Sequence, residues 1–210
     1  MAGRRVKGAV LCGGKGVRLR PLTYYFQKAM IPIGSRQKPL LEYVVRLLRH
    51  HGVRELALLV NYKAEQIINY FDDGTRFGVK IDYVWDDPSL KGNGGALYNA
   101  YRRGVFDGYS DVLIYYGDIL TNLDISALLS HHFNTGAVAT LALSTHYTVS
   151  VGVAEVEGTR IVRLVEKPPL GKPVVIGVLA VRVDALSYLE DIVLERGEAD
   201  LMRDFIPALI

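Results

Sequence analysis

The chain is poor in cysteine, has no long apolar run and carries no large excess of charge of either sign. Its 210 residues contain one cysteine, Cys12, so no internal disulfide can form. No apolar run approaches the roughly 20 residues that a membrane-spanning helix needs. The basic N-terminus is not followed by the apolar core of a secretory signal peptide. These absences predict a cytoplasmic protein that does not enter a membrane.

The charge balance argues against nucleic acid as a partner. Lys and Arg number 25 against 22 Asp and Glu, which gives a net charge of +3. The densest basic group, residues 3–7, is too short to form the basic stripe that nucleic-acid binding usually requires. Half of the residues are hydrophobic and 22% are charged, which is ordinary for a globular protein and excludes disorder and coiled coil.

Short apolar runs alternate with longer amphipathic stretches in the first two-thirds of the chain. The predicted strands are 6–12, 55–60, 79–85 and 111–116, and the predicted helices are 39–51, 64–71, 94–103 and 124–133. Four strands with short connections follow, at 137–144, 151–156, 161–165 and 174–183, and a last helix is predicted at 201–210. The alternation predicts a Rossmann-like three-layer α/β/α fold around a mixed, mostly parallel sheet.

The loop after the first predicted strand contains three glycines, at Gly13, Gly14 and Gly16. Glycines at this point allow backbone N–H groups to approach an anion closely. Two cations follow in the same segment, Lys15 and Arg18, and an arginine fork matches phosphate oxygens. The loop therefore predicts a phosphate cradle at the carboxyl end of the sheet, with a plain tight turn as the alternative.

Two familiar phosphate-binding patterns do not fit this loop. The dinucleotide fingerprint would start at Gly14 and needs a third glycine where Leu19 stands. The P-loop pattern needs Ser or Thr after Lys15, where Gly16 stands instead. A dehydrogenase of the Rossmann type is therefore a weak alternative.

A longer pattern does fit. The string GGKGVRLRPLT at residues 13–23 is followed by Gln27-Lys28, a proline-containing segment at 31–33, and KPLLEY at 38–43. This series resembles the sugar-phosphate nucleotidyltransferases, whose pattern is G-G-x-G-T-R-L-x-P-L-T, then P-K, then P-L-L-x-Y. Two positions depart from it: Val17 stands at the usual Thr, and Gln27 stands at the Pro before Lys28.

The resemblance continues over about the whole chain. Residues 91–97 are similar to the family's base-binding loop, with Asn93 at its Thr. Gly117-Asp118 is similar to its metal motif, and 166–168 to its sugar-phosphate motif. Gly177 matches the last residue of its N-A-G.

The resemblance implies an activity and a set of partners. Members of the family join a nucleoside triphosphate to a sugar 1-phosphate with Mg²⁺, giving a nucleotide sugar and pyrophosphate. A phosphate oxygen attacks the α-phosphorus, so no covalent nucleophile is needed. Homo-oligomers are common in the family, and the resemblance allows one here without fixing its size. It does not predict which base or which sugar is used.

The resemblance also implies roles for individual residues. The catalytic set would be Arg18, Lys28 and Asp118, with Asp118 as the Mg²⁺ ligand. The nucleotide would contact Gly13, Gly14, Gly16, Gly92 and Gly95, and the sugar phosphate would contact Gly152, Glu166 and Lys167. The alternatives are structural: surface cations, a turn or helix cap for Asp118, and tight turns or a strand bulge for the glycines.

The end of the sequence departs from the family pattern. We expect a single domain over 1–210, with a nucleotide-binding part at about 1–120 and a sugar-binding part at about 121–210. A further segment, which carries a second metal-binding Asp in the family, is absent, and Asp200 and Asp204 are not expected to replace it. This departure leaves a second interpretation open: a catalytically silent relative that acts as a regulatory or binding subunit.

Overall fold

The computed structural model describes residues 4–210, which form a six-stranded sheet, two small two-stranded sheets and the helices that connect their strands. The strands are β1 Val6–Leu11, β2 Pro32–Ile33, β3 Lys38–Pro39, β4 Glu55–Val60, β5 Lys80–Trp85, β6 Asp111–Tyr116, β7 Ala139–Ser144, β8 Val153–Glu157, β9 Arg160–Val165 and β10 Val174–Arg182. The helices are α1 Leu22–Tyr25, α2 Leu40–His50, α3 Ala64–Phe71, α4 Gly92–Arg102, α5 Ile125–Thr135, α6 Tyr188–Arg196 and α7 Ile206–Ala208.

The main sheet has the strand order β5-β4-β1-β6-β10-β7. Strands β5, β4, β1 and β6 run parallel to one another, and β10 runs antiparallel to β6. The predicted mixed, mostly parallel sheet is therefore confirmed. Leu11 pairs in register with Tyr116, so the carboxyl ends of β1 and β6 lie side by side.

The central strands form because their sequences are apolar almost throughout. Ala9, Val10 and Leu58 are completely buried, as expected for parallel strands that helices cover on both faces. The predicted bounds of β4, α3 and β6 agree with the structure, and those of β1 and β5 differ by one residue.

Helix boundaries differ more where glycine or proline stands at the start. Pro39 precedes α2 and pairs with Pro32 in a short antiparallel ladder, instead of forming the first helical turn. Helix α4 begins at Gly92, two residues before the predicted start. Helix α5 begins after Asp124, whose carboxylate caps it by accepting a hydrogen bond from the Ala127 N–H at 2.9 Å.

The C-terminal part contains a helix that the sequence pattern did not predict. Helix α6 is rich in charged residues and buries mainly Leu189 and Val193, so its apolar periodicity is weak. The helix predicted at 201–210 is present over 201–208, but its first five residues, Leu201–Phe205, form a π-helical turn that leads directly into the short α7. The Asp200 side chain caps this turn by accepting hydrogen bonds from the N–H groups of its second and third residues.

The chain divides into two compact units. One comprises 4–140 and 177–210, and the other comprises 141–176. In the second unit, β8 and β9 form an antiparallel hairpin with a bulge between Glu155 and Val156. The expected division of function near residue 120 stays a prediction. Within residues 4–210, no helix has both the length and the apolar character needed to cross a membrane.

Candidate active site

A cavity of about 500 Å³ opens at the carboxyl ends of the parallel strands. The first glycine-rich loop forms much of its wall, and residues that follow β5 and β6 complete it. The predicted residues that line it are Gly13, Gly14, Gly16, Arg18, Lys28, Gly92 and Asp118, together with Lys15. Ligands of open α/β sheets bind at this edge, so the position agrees with the sequence-based expectation.

The loop after β1 is held in a shape that leaves its backbone facing the cavity. Gly16 has φ +59°, and a Cβ atom there would lie 2.8 Å from the Thr23 methyl group. The Thr23 hydroxyl donates a hydrogen bond to the Gly16 carbonyl at 2.9 Å. At Gly14, by contrast, a Cβ atom would meet no atom within 4 Å. Thr23 thus holds the loop at Gly16, while the space beside Gly14 is open. A backbone loop that is held in place and borders open space is suited to binding an anion.

Arg18 lies in the short 3₁₀ turn Val17–Leu19 that follows this loop. Its side chain is exposed at the cavity wall. The turn is closed by a 2.9 Å hydrogen bond from the Leu19 N–H to the Gly16 carbonyl. A planar guanidinium in this place can contact the oxygens of a phosphate chain.

Lys28 and Asp118 form an ion pair in the cavity wall. Both side chains are less than one-third exposed. Asp118 follows the end of β6, and Asp124 caps α5, so Asp118 does not serve as the helix cap. A hard carboxylate at the end of a strand, facing a phosphate cradle, fits a magnesium ligand.

Gln27 explains how the chain does without the proline that the family pattern has before Lys28. Its side-chain oxygen accepts a hydrogen bond from the Ala29 N–H, at 2.5 Å. Its side-chain amide donates to the Cys12 carbonyl at the cavity floor. Gln27 therefore fixes the turn that carries Lys28 through hydrogen bonds instead of through a proline ring.

Asp86 is a cavity residue that the sequence analysis missed. It follows β5, and burial raises the pKa of its carboxyl group. A Cβ atom on Gly13 would lie 2.5 Å from its Oδ2 atom, so the glycine makes room for this carboxylate. No motif marks Asp86. Its position directly after a predicted strand, at the same sheet edge as Asp118, could nevertheless have indicated that it lies near the site.

Asp118 and Asp86 are the carboxylates that line the cavity. Within residues 4–210, no group of three or more His, Cys, Asp or Glu side chains is arranged to hold a metal ion. Mg²⁺ typically keeps several waters and takes one or two carboxylates besides substrate phosphates. Asp118 alone therefore fits such an ion when a phosphate ligand is also present.

Cys12 is buried and forms part of the cavity lining. Burial, with smaller contributions from the charges of Asp118 and Asp86, raises the pKa of its thiol. A thiol held in its neutral form is a poor nucleophile, so Cys12 has a packing role.

The second glycine-rich loop packs closely against the backbone of neighbouring residues. Gly92 has φ +81°, and a Cβ atom there would lie 2.2 Å from the Ala199 carbonyl oxygen. A Cβ atom on Gly95 would lie 2.5 Å from the Leu90 carbonyl oxygen. Gly95 is buried and is not part of the cavity wall, and its expected contact with the nucleotide stays a prediction.

Asn93, which stands where the family pattern has Thr, connects α4 to the C-terminal segment. Its amide donates hydrogen bonds to the Tyr116 hydroxyl and to an Asp200 carboxylate oxygen, each at 3.1 Å. Its carbonyl oxygen accepts from the Leu201 N–H at 2.8 Å. Burial, together with the charges of Asp200 and Asp118, raises the pKa of Tyr116 to about 12. Tyr116 thus presents a neutral hydroxyl group in the cavity wall.

The three candidates for the sugar phosphate all lie in the unit 141–176. A Cβ atom on Gly152 would lie 3.1 Å from the Glu166 Oε2 atom, so these two residues are neighbours. Lys167, the next residue, has φ +48°, a strained value for a side-chain-bearing residue. Their expected contact with a sugar phosphate stays a prediction.

The mostly parallel sheet, the glycine loop after its first strand and the carboxylate after β6 define an α/β protein with a cavity at the carboxyl ends of its parallel strands. The sequence profile of the nucleotidyl transferase family matches residues 7–210, and the chain belongs to this family.

The names of individual relatives indicate different sugars and different nucleotides. The chain is 32% identical to a UTP–glucose-1-phosphate uridylyltransferase from Synechocystis, over 98% of this chain and 55% of that protein. It is 34% identical to a mannose-1-phosphate guanylyltransferase from Mycobacterium tuberculosis, over 68% of this chain and 38% of that protein. The chain spans about half the length of the curated relatives it matches.

A solved structure supports the fold. A Bacillus anthracis protein assigned as a glucose-1-phosphate thymidylyltransferase has a TM-score of 0.68 to this chain at 22% identity, over 93% of this chain and 86% of that protein.

Proposed function

We propose that this chain transfers a nucleotidyl group from a nucleoside triphosphate to a sugar 1-phosphate, giving a nucleotide sugar and pyrophosphate. The observation that carries the proposal is the meeting of Arg18, Lys28 and Asp118 in one cavity beside an open glycine loop. The relatives' names support the reaction class, and because those names differ, they do not fix the base or the sugar.

The main obstacle to the proposed reaction is the negative charge of its two reactants. Both reactants are anions, so the protein must offset their repulsion and align them for in-line attack at the α-phosphorus. The backbone at Gly13 and Gly14 would hold the triphosphate, and Arg18 would stabilise the charge that grows on the departing pyrophosphate. No strong base is required, because the attacking phosphate oxygen is already ionised.

Lys28 would contact phosphate oxygens near the point of attack. Its Nζ contacts Asp118, so a cation and a carboxylate occupy the same wall. Asp118 would hold Mg²⁺ together with phosphate oxygens and water. When bound, the ion would neutralise charge on the leaving group. The partner residues for the sugar phosphate would be Gly152, Glu166 and Lys167.

The test is a matrix of nucleoside triphosphates against sugar 1-phosphates with Mg²⁺, read as pyrophosphate release. We expect release with at least one pair, with both substrates required. Binding of triphosphate without release from any pair would instead favour the catalytically silent interpretation. Absence of both would refute the proposal.

A further inference from the structure

A second concavity, which we call the hairpin groove, lies against the β2–β3 hairpin and has no part in the proposed reaction. The residues that define it are Phe26, Met30, Arg36, Lys38, Gln66 and Tyr70. Its volume is about 420 Å³, which falls in the range of small-molecule sites, roughly 300–1,000 Å³. The groove is therefore large enough for a compact metabolite.

The groove combines an apolar wall with two cations. Phe26 and Met30 supply apolar surface, whereas Arg36 and Lys38 project from the hairpin. Within residues 4–210, no acidic side chain pairs with Arg36. The nearest pairing of Lys38 is with Glu42, at 3.8 Å. This distance is too long for a hydrogen bond.

Glu42 pairs with Lys38, but it also pairs with a second cation, Arg46. Its carboxylate accepts hydrogen bonds from Arg46, at 2.8 Å, and from the Tyr70 hydroxyl. Burial opposes ionisation of Glu42, but the hydrogen bonds from Tyr70 and Arg46, together with the charges of Arg46 and Lys38, lower its pKa. One carboxylate thus faces two cations, and Arg36 adds a further positive charge at the mouth of the groove.

The part of the sequence that contains the hairpin is rich in cations, although some of them, such as Lys7 and Lys28, pair with acidic residues from later in the chain. The first 60 residues hold twelve of the 25 Lys and Arg but only two of the 22 Asp and Glu. A local excess of one charge raises the concentration of oppositely charged ligands at a surface. Arginine and lysine over apolar surface suit a ligand with a phosphate head and a ring or an alkyl body.

The groove and the active-site cavity share a wall. The turn Lys28–Met30 places Lys28 in the cavity and Met30 in the groove. The Gln66 side chain, which lines the groove, accepts a hydrogen bond from the Gln27 N–H at 2.7 Å. Gln27 in turn donates to the Cys12 carbonyl at the cavity floor. A ligand in the groove would therefore contact the segment that positions Lys28.

We propose that the hairpin groove is a second anion site, which binds a phosphorylated small molecule through Arg36 and Lys38. It lies beside the proposed active site and is separate from it. Its occupancy can be measured without turnover, so this inference does not depend on the identity of the reaction.

The test is calorimetric titration with phenyl phosphate, which carries a phosphate dianion and an apolar ring. Four proteins are compared: the wild type, the pair R36A/K38A, the variant Arg18→Ala, and the control pair R54A/K80A. The control pair removes the same two charges from exposed positions outside both cavities. We expect at least one binding event that persists in Arg18→Ala and in the control pair but weakens at least ~10-fold in R36A/K38A.

The charge-conserving pair R36K/K38R separates charge from local shape, and it should keep most of the affinity. Thermal melting of each variant checks that it is folded. The proposal is overturned if the wild type shows no binding at millimolar concentration. It is also overturned if every binding event persists in R36A/K38A, or if the control pair weakens binding as much.

Discussion

The glycine loop after β1 and the glycine loop that opens α4 differ in what a methyl group would meet there. At Gly14 a Cβ atom would meet open space, whereas at Gly92 it would lie 2.2 Å from a backbone carbonyl oxygen. At Gly14 the first loop is open to the cavity, whereas the second loop packs its backbone against Leu90 and Ala199, although its Gly92 also lines the cavity. Glycines in similar strings can thus border open space in one place and allow close packing in another.

The largest effect should come from the charged residues beside the first loop. We expect Arg18→Ala and Asp118→Ala each to lower kcat for pyrophosphate release by at least ~100-fold, because each removes a preorganised charge contact. The matched control is Arg20→Ala, since Arg20 stacks on the Tyr24 ring and does not line the cavity. Near-normal rates in both cavity variants would refute the assigned roles.

The two loops should respond in opposite ways to an added methyl group. Gly92→Ala should cost more than ~2 kcal/mol of unfolding free energy, because both its positive φ and the Ala199 carbonyl oppose a side chain. Gly14→Ala should change stability by no more than ~0.5 kcal/mol. It should nevertheless weaken triphosphate binding, because the methyl group would occupy space in front of the loop. Denaturant titration and calorimetric binding measure the two quantities, and equal stability losses would contradict the contrast.

Substitution of Asn93 tests whether its hydrogen bonds hold the second loop to the C-terminal segment. Asn93→Ala removes its hydrogen bonds to Tyr116, Asp200 and Leu201. We expect a loss of ~1–3 kcal/mol in unfolding free energy, because buried partners lose their bonds. An unchanged midpoint of urea unfolding would show that the hydrogen bonds of Asn93 do not stabilise the C-terminal segment.

The pKa values of Asp86 and its neighbour Asp87 are shifted in opposite directions, so substitutions at the two positions should change the melting temperature in opposite directions. Burial raises the pKa of Asp86, so its ionisation lowers the stability of the fold at neutral pH, and below its unfolded-state pKa that cost is absent. Asp86→Asn should therefore raise the melting temperature at pH 7, and the gain should fade as the pH approaches about 4.

Asp87 provides the matched control for that measurement. Hydrogen bonds from Ser89, and then the charge of Arg102, lower the pKa of Asp87. Its stabilising contribution is present above the unfolded-state pKa and is lost as the pH falls through the folded-state value. Asp87→Asn should thus lower the melting temperature at pH 7 and change it less in acid. The same sign for both variants would contradict the assignment.

The parts of the fold with strong periodicity could be predicted from sequence. Strands β1, β4 and β6 are nearly continuous apolar runs, and α2 repeats its apolar face every four residues. Helix α6 was not predicted, because few apolar residues mark its buried side. The π-helical turn at 201–205 depends on the Asp200 cap and on packing, which no local pattern shows.

The candidate site could be predicted only where a long motif marks it. The glycine loop, Arg18, Lys28 and Asp118 belong to one extended pattern, and the structure places them around one cavity. Asp86 belongs to no such pattern, and its burial depends on the space that Gly13 leaves. The packed state of Gly95 likewise depends on a contact with Leu90 that its sequence context does not reveal.

The contrast between the two loops can be measured directly by backbone amide NMR during titration with a magnesium nucleoside triphosphate. The account predicts large shifts of the Gly13, Gly14 and Gly16 signals and small shifts of the Gly94 and Gly95 signals. Larger shifts at Gly94 and Gly95 than in the first loop would contradict it, because the triphosphate would then lie against the loop that the structure shows to be packed.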